Sequence, residues 1–276
     1  MMHKISFLRP SPDSSLAFQE RISSRNIRLS ARLTVLLVLT SLSATPLLAG
    51  GPPKDAGLKL TWSDDFNGNK LDQTKWEYRT DSKLLSTQTP GNVAVNGGYL
   101  TIALRKEEVS GKAYSGGGVI SRKAFHYGYY EARLKIEAGS GWHSSFWMMG
   151  YNGKDTLGQA ATLEMDAIEN KSDDLHSYGV NTHRWAISHI AAGHKDVQTP
   201  DLSKDFHVFG CEYAPDVVRY YFDGKLVQTV DWHGQPQGDV NIWLTSIAEA
   251  MGPAHGVDDA ALPGKMLVDW VRFYSK

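Results

Sequence analysis

A succession of short alternating segments separated by turns restricts the fold of this 276-residue chain more than any other feature. Over residues 129–136, apolar side chains at every second position alternate with Glu131, Arg133 and Lys135. A period of two places the apolar side chains on one face of a β-strand and the polar ones on the other. Asn96-Gly97-Gly98 separates two further β-rich runs, which is typical of a hairpin. This pattern predicts strands joined by tight turns.

The same reasoning applied along the chain predicts a dozen strands and little helix. The predicted strands are residues 58–62, 93–95, 99–104, 119–120, 129–136, 145–149, 162–169, 207–213, 217–222, 225–230, 242–247 and 266–274. Short strands at this spacing are typical of two antiparallel sheets packed face to face. We find no internal repeat, and we therefore predict a single all-β sandwich.

The N-terminal segment has the features of an export signal. Its apolar stretch, residues 33–48, is short for a membrane span, which needs about 20 residues. Pro46 interrupts the stretch shortly before Ala49, a plausible cleavage position. Four arginines precede it: Arg21, Arg25, Arg28 and Arg32. We predict a leader at residues 1–49, a linker at 50–57 and one domain at 58–276, secreted or periplasmic; the alternative is an uncleaved anchor.

Charge and cysteine content exclude several other functions. The net charge is −1 and no basic block is present, which argues against a nucleic-acid partner and against recruitment to an anionic membrane. The single cysteine, Cys211, cannot form an internal disulfide. Because Cys211 lies within a predicted strand, we expect a small buried residue rather than a catalytic thiol.

The segment from Leu163 to Asn170 carries three carboxylates on an otherwise apolar strand. In a regular strand, Glu164 and Asp166 share a face, whereas Glu169 points towards the core, where a charge is costly. One extra residue, a β-bulge at 167–168, returns Glu169 to the acidic face. We therefore predict a bulge at this position.

Two carboxylates on either side of a scissile bond are what glycoside hydrolysis requires. In a retaining enzyme they lie about 5–5.5 Å apart, one attacking the anomeric carbon and the other protonating the leaving oxygen. Crowded carboxylates titrate together, which can keep one of them protonated near neutral pH. An acidic edge strand or a calcium site is the alternative interpretation of the strand taken alone.

At this strand the sequence resembles glycoside hydrolase family 16, whose bulged signature is Glu-x-Asp-x-x-Glu. The resemblance covers about residues 60–274. The other matching segments are Trp62-Ser63-Asp64-Asp65-Phe66-Asn67-Gly68 with Leu71-Asp72 and Lys75-Trp76, Tyr127-Gly128-Tyr129-Tyr130-Glu131-Ala132-Arg133-Leu134-Lys135, Ser145-Phe146-Trp147-Met148, Phe206-His207-Val208-Phe209-Gly210, Tyr221-Phe222-Asp223-Gly224 and Val268-Asp269-Trp270-Val271-Arg272-Phe273-Tyr274.

The resemblance implies a jelly-roll (concanavalin A-like) sandwich with a concave substrate groove. It also implies catalysis with retention, with Glu164 as nucleophile, Asp166 as its helper and Glu169 as acid/base. The bulged signature is typical of β-1,3-glucanases and of enzymes that act on agar, porphyran or carrageenan. Where many laminarinases have Gly-x-Trp-Pro-Ala-Phe-Trp, this chain has Gly-Trp-His-Ser-Ser-Phe-Trp at 141–147, which adds polar groups near the groove.

Sugars present apolar faces and hydroxyl groups, so aromatic and polar groove residues are expected. The predicted substrate-binding residues are Trp142, His143, Trp147, His183 and Trp185. For the tryptophans the alternative is a core position, and for His183 and Trp185 it is a locally stabilised hairpin. Trp243 could face either side of its strand, and Arg184 could bind an anionic substituent, although a solvated arginine is the simpler interpretation. The spacing of the four histidines between 176 and 194 fits no compact zinc site.

A structural calcium site away from the groove is a further implication of the resemblance. The matching positions are Asp65, the Gly98 carbonyl and Asp269. Oxygen ligands suit calcium, although the same residues could simply cap turns. No cofactor is expected for catalysis itself.

Together these features predict a secreted, monomeric, retaining endo-glycosidase that hydrolyses internal β-linkages of β-1,3-glucan or a marine galactan. A lectin-like protein that binds carbohydrate without cleaving it is the first alternative, because this sandwich also serves binding functions. A transglycosylase, which shares the covalent intermediate, is the second.

Overall fold

A computed structural model describes residues 50–150, 163–185, 188–235, 237–249 and 256–276. These residues all belong to one compact unit. The predicted leader lies outside the described residues. No helix among the described residues is long and apolar enough to cross a membrane.

The described part of the chain is built almost entirely from strands, with three short 3₁₀ helices at Lys54–Ala56, Pro90–Asn92 and Asp259–Ala261. The strands are β1 (Lys59–Asp64), β2 (Trp76–Tyr78), β3 (Ser82–Lys83), β4 (Ser86–Gln88), β5 (Val93–Asn96), β6 (Tyr99–Leu104), β7 (Tyr114–Ser121), β8 (Gly128–Lys135), β9 (Trp142–Met149), β10 (Leu163–Lys171), β11 (Ser177–Arg184), β12 (Ile190–Gln198), β13 (His207–Ala214), β14 (Val217–Phe222), β15 (Lys225–Asp231), β16 (Asn241–Ala248) and β17 (Gly264–Ser275).

The strands form two sheets. One has the order β15-β14-β13-β8-β17-β6-β5, with β1 also paired to β17. The other has the order β12-β11-β10-β9-β16-β7-β4-β3, with β2 also paired to β7. Pairing is antiparallel throughout the described ladders except between β4 and β7. The predicted all-β sandwich is confirmed, and its architecture is a jelly roll.

The core lies between the sheets because each strand contributes alternate residues to it. On β8, Tyr130, Ala132 and Leu134 are buried in the main apolar cluster, as their alternation predicts. Met165 and Ile168 of β10 join the same cluster from the other sheet. Cys211 of β13 is fully buried, which confirms the sequence interpretation, and burial raises the pKa of its thiol.

The segment predicted as a linker, residues 50–57, contacts the outer side of the first sheet. The backbone N–H of Gly51 donates a 2.6 Å hydrogen bond to Oε2 of Glu131, and the Tyr274 hydroxyl donates to the other carboxylate oxygen at 2.8 Å. Glu131 has no exposed surface as a result. This part of the predicted linker is therefore packed against the sheet through a buried carboxylate.

Candidate active site

The bulge predicted in the acidic strand is present in β10. On the β9 side, Asp166 pairs with Trp147 and Ile168 with Phe146, so Ala167 is an extra residue. On the β11 side, the register also shifts between Asp166 and Glu169. The extra residue restores Glu169 to the face of Glu164 and Asp166, because it changes the parity of the strand after Asp166.

The three carboxylates line one open cavity of about 480 Å³ on the outer face of the second sheet. Alternate residues of the neighbouring strands share this face, since Trp147 of β9 lies beside Asp166, and His183 of β11 lies beside Glu164. Of the predicted substrate-binding residues, His143, Trp147, His183 and Trp185 line the cavity.

Glu164 is held by the segment that follows β11. The indole Nε1 of Trp185 donates a 3.0 Å hydrogen bond to Oε2 of Glu164. His183 Nε2 lies 4.0 Å from the other carboxylate oxygen, Oε1. Trp185 stacks on His189, with ring centroids 4.0 Å apart, and this contact fixes the indole beside the carboxylate.

Asp166 is the most deeply buried of the three carboxylates. Its Oδ2 atom is buried without a hydrogen bond within the described structure and lies 3.3 Å from His183 Nε2. One ligand atom each from Glu164, Asp166 and His183 lies within 4.8 Å of the others, so the three groups converge. His183 reaches towards both carboxylates while its Nδ1 lies 2.9 Å from Nε2 of His189.

Glu169 faces a different histidine. His143 Nε2 lies 3.3 Å from Oε1 of Glu169, and His143 Nδ1 lies 2.9 Å from Oε2 of Glu249. Glu249 follows β16 and lines the same cavity. The imidazole of His143 thus stands between two carboxylates that come from different strands.

The surroundings push the pKa values of the three carboxylates apart. Burial, followed by repulsion from Asp166, raises the pKa of Glu164 to about 8. Burial and the nearby Glu169 raise the pKa of Asp166 well above its ordinary value. Burial acts in the same direction on Glu169, but the adjacent His143 outweighs it and lowers the pKa of Glu169. Before substrate binds, protons are therefore held by Glu164 and Asp166 rather than by Glu169.

This distribution has a chemical consequence for Glu164. A proton on Asp166 removes the repulsion that raises the pKa of Glu164, so Glu164 can ionise while Asp166 stays neutral. The N–H of Trp185 then stabilises the Glu164 carboxylate. This order of pKa values in the free site is opposite to the one that the predicted nucleophile Glu164 and the predicted acid Glu169 need, so a proton has to pass to Glu169 before the first step.

An aromatic pair forms the floor beside the carboxylates. Trp147 of β9 stacks on Trp243 of β16, with centroids 4.6 Å apart and planes 27° apart. The guanidinium of Arg79 lies 6.0 Å from the Trp147 ring centroid and 5.8 Å from that of Trp243. Arg79 is in turn bonded through two nitrogens to Asp81. The stacked rings and the arginine give this side of the cavity a rigid lining.

The prediction that Trp142 binds substrate is wrong. Trp142 is 1% exposed and packs with Leu104 and Ala248 in a separate apolar cluster. Strand alternation explains the difference, since Trp142 precedes His143 by one residue on β9 and so faces the interior.

Arg184 also lies apart from the cavity lining, where its Nη1 donates to Oε1 of Gln235 at 3.1 Å. Several residues that line the cavity were absent from the predicted site, among them the charged residues Arg79, Glu249 and Lys171. Glu249 could have been found by extending the alternation of Trp243, Thr245 and Ile247 by one step beyond β16. Arg79 carries no such signal, because it reaches the site from an irregular segment after β2.

The residues predicted to bind calcium fit ion pairs better than a calcium site. Asp269 accepts a 2.5 Å hydrogen bond from Nη1 of Arg133, and Oδ1 of Asp65 lies 3.5 Å from Nη2 of Arg272. A cation between these carboxylates would have to replace arginines that already neutralise them. Calcium at this position stays a prediction, and no chemistry of the cavity depends on it.

Comparison with known proteins places this geometry in a family. A family model described as the GH16 domain of β-porphyranases A–D matches residues 58–276. A β-glucanase from Rhodothermus marinus is 26% identical over 271 residues, which cover 88% of this chain and 94% of that protein. A κ-carrageenase from Pseudoalteromonas carrageenovora is 28% identical over 284 residues, covering 85% of this chain and 70% of that protein.

A solved structure agrees with the sequence comparison. The crystal structure of SCLam, a non-specific endo-β-1,3(4)-glucanase from family GH16, is similar with a TM-score of 0.70 at 27% identity. The similarity covers 82% of this chain and 94% of SCLam. The chain therefore belongs to glycoside hydrolase family 16 and is a glycoside hydrolase.

Proposed function

We propose that this protein is a retaining endo-glycosidase that cleaves a marine galactan, with Glu164 as nucleophile, Asp166 as its helper and Glu169 as acid/base. The observation that carries the proposal is the bulge in β10, which brings three carboxylates to one face of an open cavity. Membership of family 16 supports catalysis with retention.

In the first step, the Glu164 carboxylate attacks the anomeric carbon and forms a glycosyl ester. The bond from this carbon to the glycosidic oxygen breaks, and Glu169 gives its proton to that oxygen. A proton on Asp166 keeps Glu164 free of a second negative charge nearby, and the Trp185 N–H orients the attacking carboxylate.

In the second step, Glu169 takes a proton from water and the water oxygen attacks the same carbon. The ester bond breaks, Glu164 is released as a carboxylate, and the configuration at the anomeric carbon is that of the substrate. The roles of Glu169 as acid and then base require it to be open to the leaving group and to water. Its side chain is 30% exposed, compared with 12% for Glu164 and 3% for Asp166.

Two observations favour a galactan that carries sulfate groups over neutral β-1,3-glucan. The matching family model is that of β-porphyranases A–D. The cavity is also lined by the cationic side chains of Lys83 and Lys171, which complement an anionic sugar. β-1,3-Glucan is the second candidate, because the relatives include β-glucanases.

The test is release of reducing ends from porphyran, agarose, κ-carrageenan, laminarin and mixed-linkage glucan. We expect release from porphyran, and loss of about 10⁴-fold or more in Glu164→Gln because no covalent intermediate can form. Release from laminarin alone would replace the galactan by β-1,3-glucan. Binding without release from any polymer would favour the lectin alternative.

Azide rescue separates the roles of the two glutamates. In Glu169→Ala the glycosyl ester still forms from an aryl glycoside whose leaving group departs without a proton, so azide should attack it and give a product that retains the configuration of the substrate. In Glu164→Ala azide should attack the substrate directly and give the inverted product. The reverse pattern in the two variants would exchange the roles.

We further propose that residues 1–49 are a cleaved export leader and that the enzyme acts as a secreted monomer. This proposal rests on the sequence pattern of the first 49 residues. Intact mass and size-exclusion chromatography of the exported protein would test it, since a mass that includes the leader contradicts cleavage. A fall in Tm on addition of EDTA would support the calcium prediction.

A further inference from the structure

His143 occupies an unusual position in the cavity, because both of its ring nitrogens face carboxylates. Nε2 lies 3.3 Å from Glu169 Oε1 and Nδ1 lies 2.9 Å from Glu249 Oε2. The side chain is 15% exposed, so water can screen these charges only in part. This is also the point at which the chain has polar residues in place of the segment typical of laminarinases.

We propose that His143, anchored by Glu249, is a cationic positioning residue that compensates the negative charge which Glu169 acquires each time it gives up its proton. The proposal rests on the proposed function, since it assigns Glu169 as the acid/base. It adds two residues, one of them absent from the predicted site, to the machinery of the first step.

The charge balance around the imidazole supports this role. Burial on its own would lower the pKa of His143, but Glu169 and Glu249 raise it to about 9. The ring is therefore an imidazolium at neutral pH, with Nδ1 hydrogen-bonded to Glu249 and with Nε2 close to Glu169 but without a hydrogen bond within the described structure. A buried cation between two anions is held in place by both, so Glu249 sets the orientation of the ring that faces Glu169.

Three other charged groups near Glu169 fit this role less well than His143 does. Lys171 of β10 acts on Glu169 in the same direction, but it is exposed and its charge is screened by solvent. Lys83 of β3 lines the cavity but is not among the main influences on the pKa of Glu169. His183 of β11 also favours the carboxylate, but its Nε2 lies towards Asp166 and Glu164. Among the cationic groups, His143 lowers the pKa of Glu169 the most.

The proton count in each step defines what His143 does. When Glu169 protonates the glycosidic oxygen, it becomes a carboxylate next to a cation, while Glu164 loses its charge in the ester. When Glu169 takes a proton from water, it becomes neutral again and Glu164 is released as a carboxylate. His143 keeps its own proton throughout, so it stabilises the covalent intermediate without exchanging protons with the substrate.

The first experiment is the pH dependence of kcat, which reports the enzyme–substrate complex, for His143→Gln, Glu249→Gln and the double variant, on the polymer that the wild type hydrolyses. Without the cation Glu169 becomes a weaker acid and stays protonated to higher pH. The basic limb should therefore move up by about one to two pH units in His143→Gln. In Glu249→Gln the basic limb should move by a smaller amount. In the double variant it should move no further than in His143→Gln.

A matched control is His233→Gln. His233 Nδ1 lies 2.9 Å from Asp216 Oδ1, so it is also a histidine–carboxylate pair, but both residues are exposed and neither lines the cavity. Its pH profile should be that of the wild type. Circular dichroism and Tm identify any variant that fails to fold, in which case Glu249→Gln alone carries the test.

A second measurement needs no substrate and separates this inference from the proposed function. In NMR titrations of the wild type, the His143 imidazole should stay protonated well above the range of an ordinary histidine, and Glu249→Gln should lower that midpoint. Titration of the His143 imidazole near the value of an ordinary histidine would overturn the inference. It would also be overturned if His143→Gln hydrolysed the polymer with the same basic limb as the wild type. A high midpoint without hydrolysis of any polymer would support the charged cluster and overturn the proposed function.

Discussion

At the residue scale, the contact between Trp185 and Glu164 links binding surface and chemistry in one side chain. The indole ring lines the cavity, and its N–H is the hydrogen-bond donor to the Glu164 carboxylate. Because that donor favours the charged form, it works against the burial and repulsion that raise the pKa of Glu164. The same residue can therefore present an apolar face to sugar and help to ionise the nucleophile.

Replacing Trp185 by Phe is expected to keep much of the ring surface while removing the donor. The pKa of Glu164 should rise, and the acidic limb of kcat, which requires its carboxylate, should move up by about one pH unit. Activity below that limb should fall roughly tenfold, in line with a charge-assisted hydrogen bond of about 1.5 kcal/mol. The pH profile of the variant measures both effects.

Trp142→Phe provides the control for this variant. The Trp142 indole is buried on the opposite face, and its Nε1 has no hydrogen-bond partner within the described structure. Its profile should follow that of the wild type. Equal shifts in the two variants would show that general loosening of the sheet, rather than the lost donor, moves the limb.

At the element scale, the bulge in β10 determines which face Glu169 occupies. Asp166 pairs with Trp147 and Ile168 with Phe146, so the two pairs become consecutive if Ala167 is absent. The face of Glu169 therefore depends on the bulge that accommodates Ala167 as an extra residue, and not on the side chain of Ala167.

Deleting Ala167 should leave Glu169 in the cavity on a regular strand, with activity within about 10²-fold of the wild type because the carboxylates shift only slightly. Inserting one alanine after Ala167 also makes the number of residues between Asp166 and Glu169 odd, so Glu169 still faces the cavity, but it lies farther along the strand from Glu164 than after the deletion. Activity should then fall by about 10³-fold or more, because the general acid is out of reach of the glycosidic oxygen.

Reducing-end assays and thermal unfolding of both variants test this account. If the deletion and the insertion lose activity equally, the distance along the strand between Glu164 and Glu169 is not what matters for catalysis. If the insertion leaves activity unchanged, the strand absorbs the extra residue elsewhere and the account is wrong.

The strands themselves show where sequence patterns suffice and where they do not. Tyr99–Leu104 and Val217–Phe222 have their predicted bounds, because alternation and flanking turns are local signals. The strand predicted at 119–120 is longer in the structure, because Gly116, Gly117 and Gly118 also lie inside β7. A Cβ at Gly116 would come within 2.5 Å of the Ser246 carbonyl oxygen, so glycine is required here by the closeness of β16.

At the scale of the whole molecule, a carboxylate in the interior makes stability depend on pH. Glu137 is 7% exposed, and its Oε1 accepts hydrogen bonds from Ser144 of β9 and Ser246 of β16. Its Oε2 has no partner within the described part of the chain. Burial raises the pKa of Glu137 from 4.5 to about 6.

The sign of the effect follows from proton binding. The folded protein holds the Glu137 proton more tightly than the unfolded chain does, so the free energy of unfolding falls as pH rises from below 4.5 to above 6. This difference in the pKa of Glu137 lowers the free energy of unfolding at neutral pH by about 2 kcal/mol. Glu137→Gln keeps the acceptor but not the charge.

We therefore expect Glu137→Gln to be more stable than the wild type at pH 7, by up to about 2 kcal/mol, and to show a flatter dependence between pH 4.5 and 6. Urea unfolding at several pH values measures this. Glu77→Gln, which changes a surface glutamate paired with Arg122, is the control. A Glu137→Gln variant that is less stable at pH 7 and keeps the slope would contradict the account.

The sequence alone determined the all-β sandwich, the three carboxylates and the bulge, because alternation and strand parity involve neighbouring residues. It also supported the family, since the matching segments run along the whole domain. Only the tertiary structure decided that Glu249 reaches His143 across 106 positions of the chain, and that Trp142 faces away from the cavity. Such contacts depend on which strands pair and in what register, and those choices are set by packing of the whole sandwich rather than by any local segment.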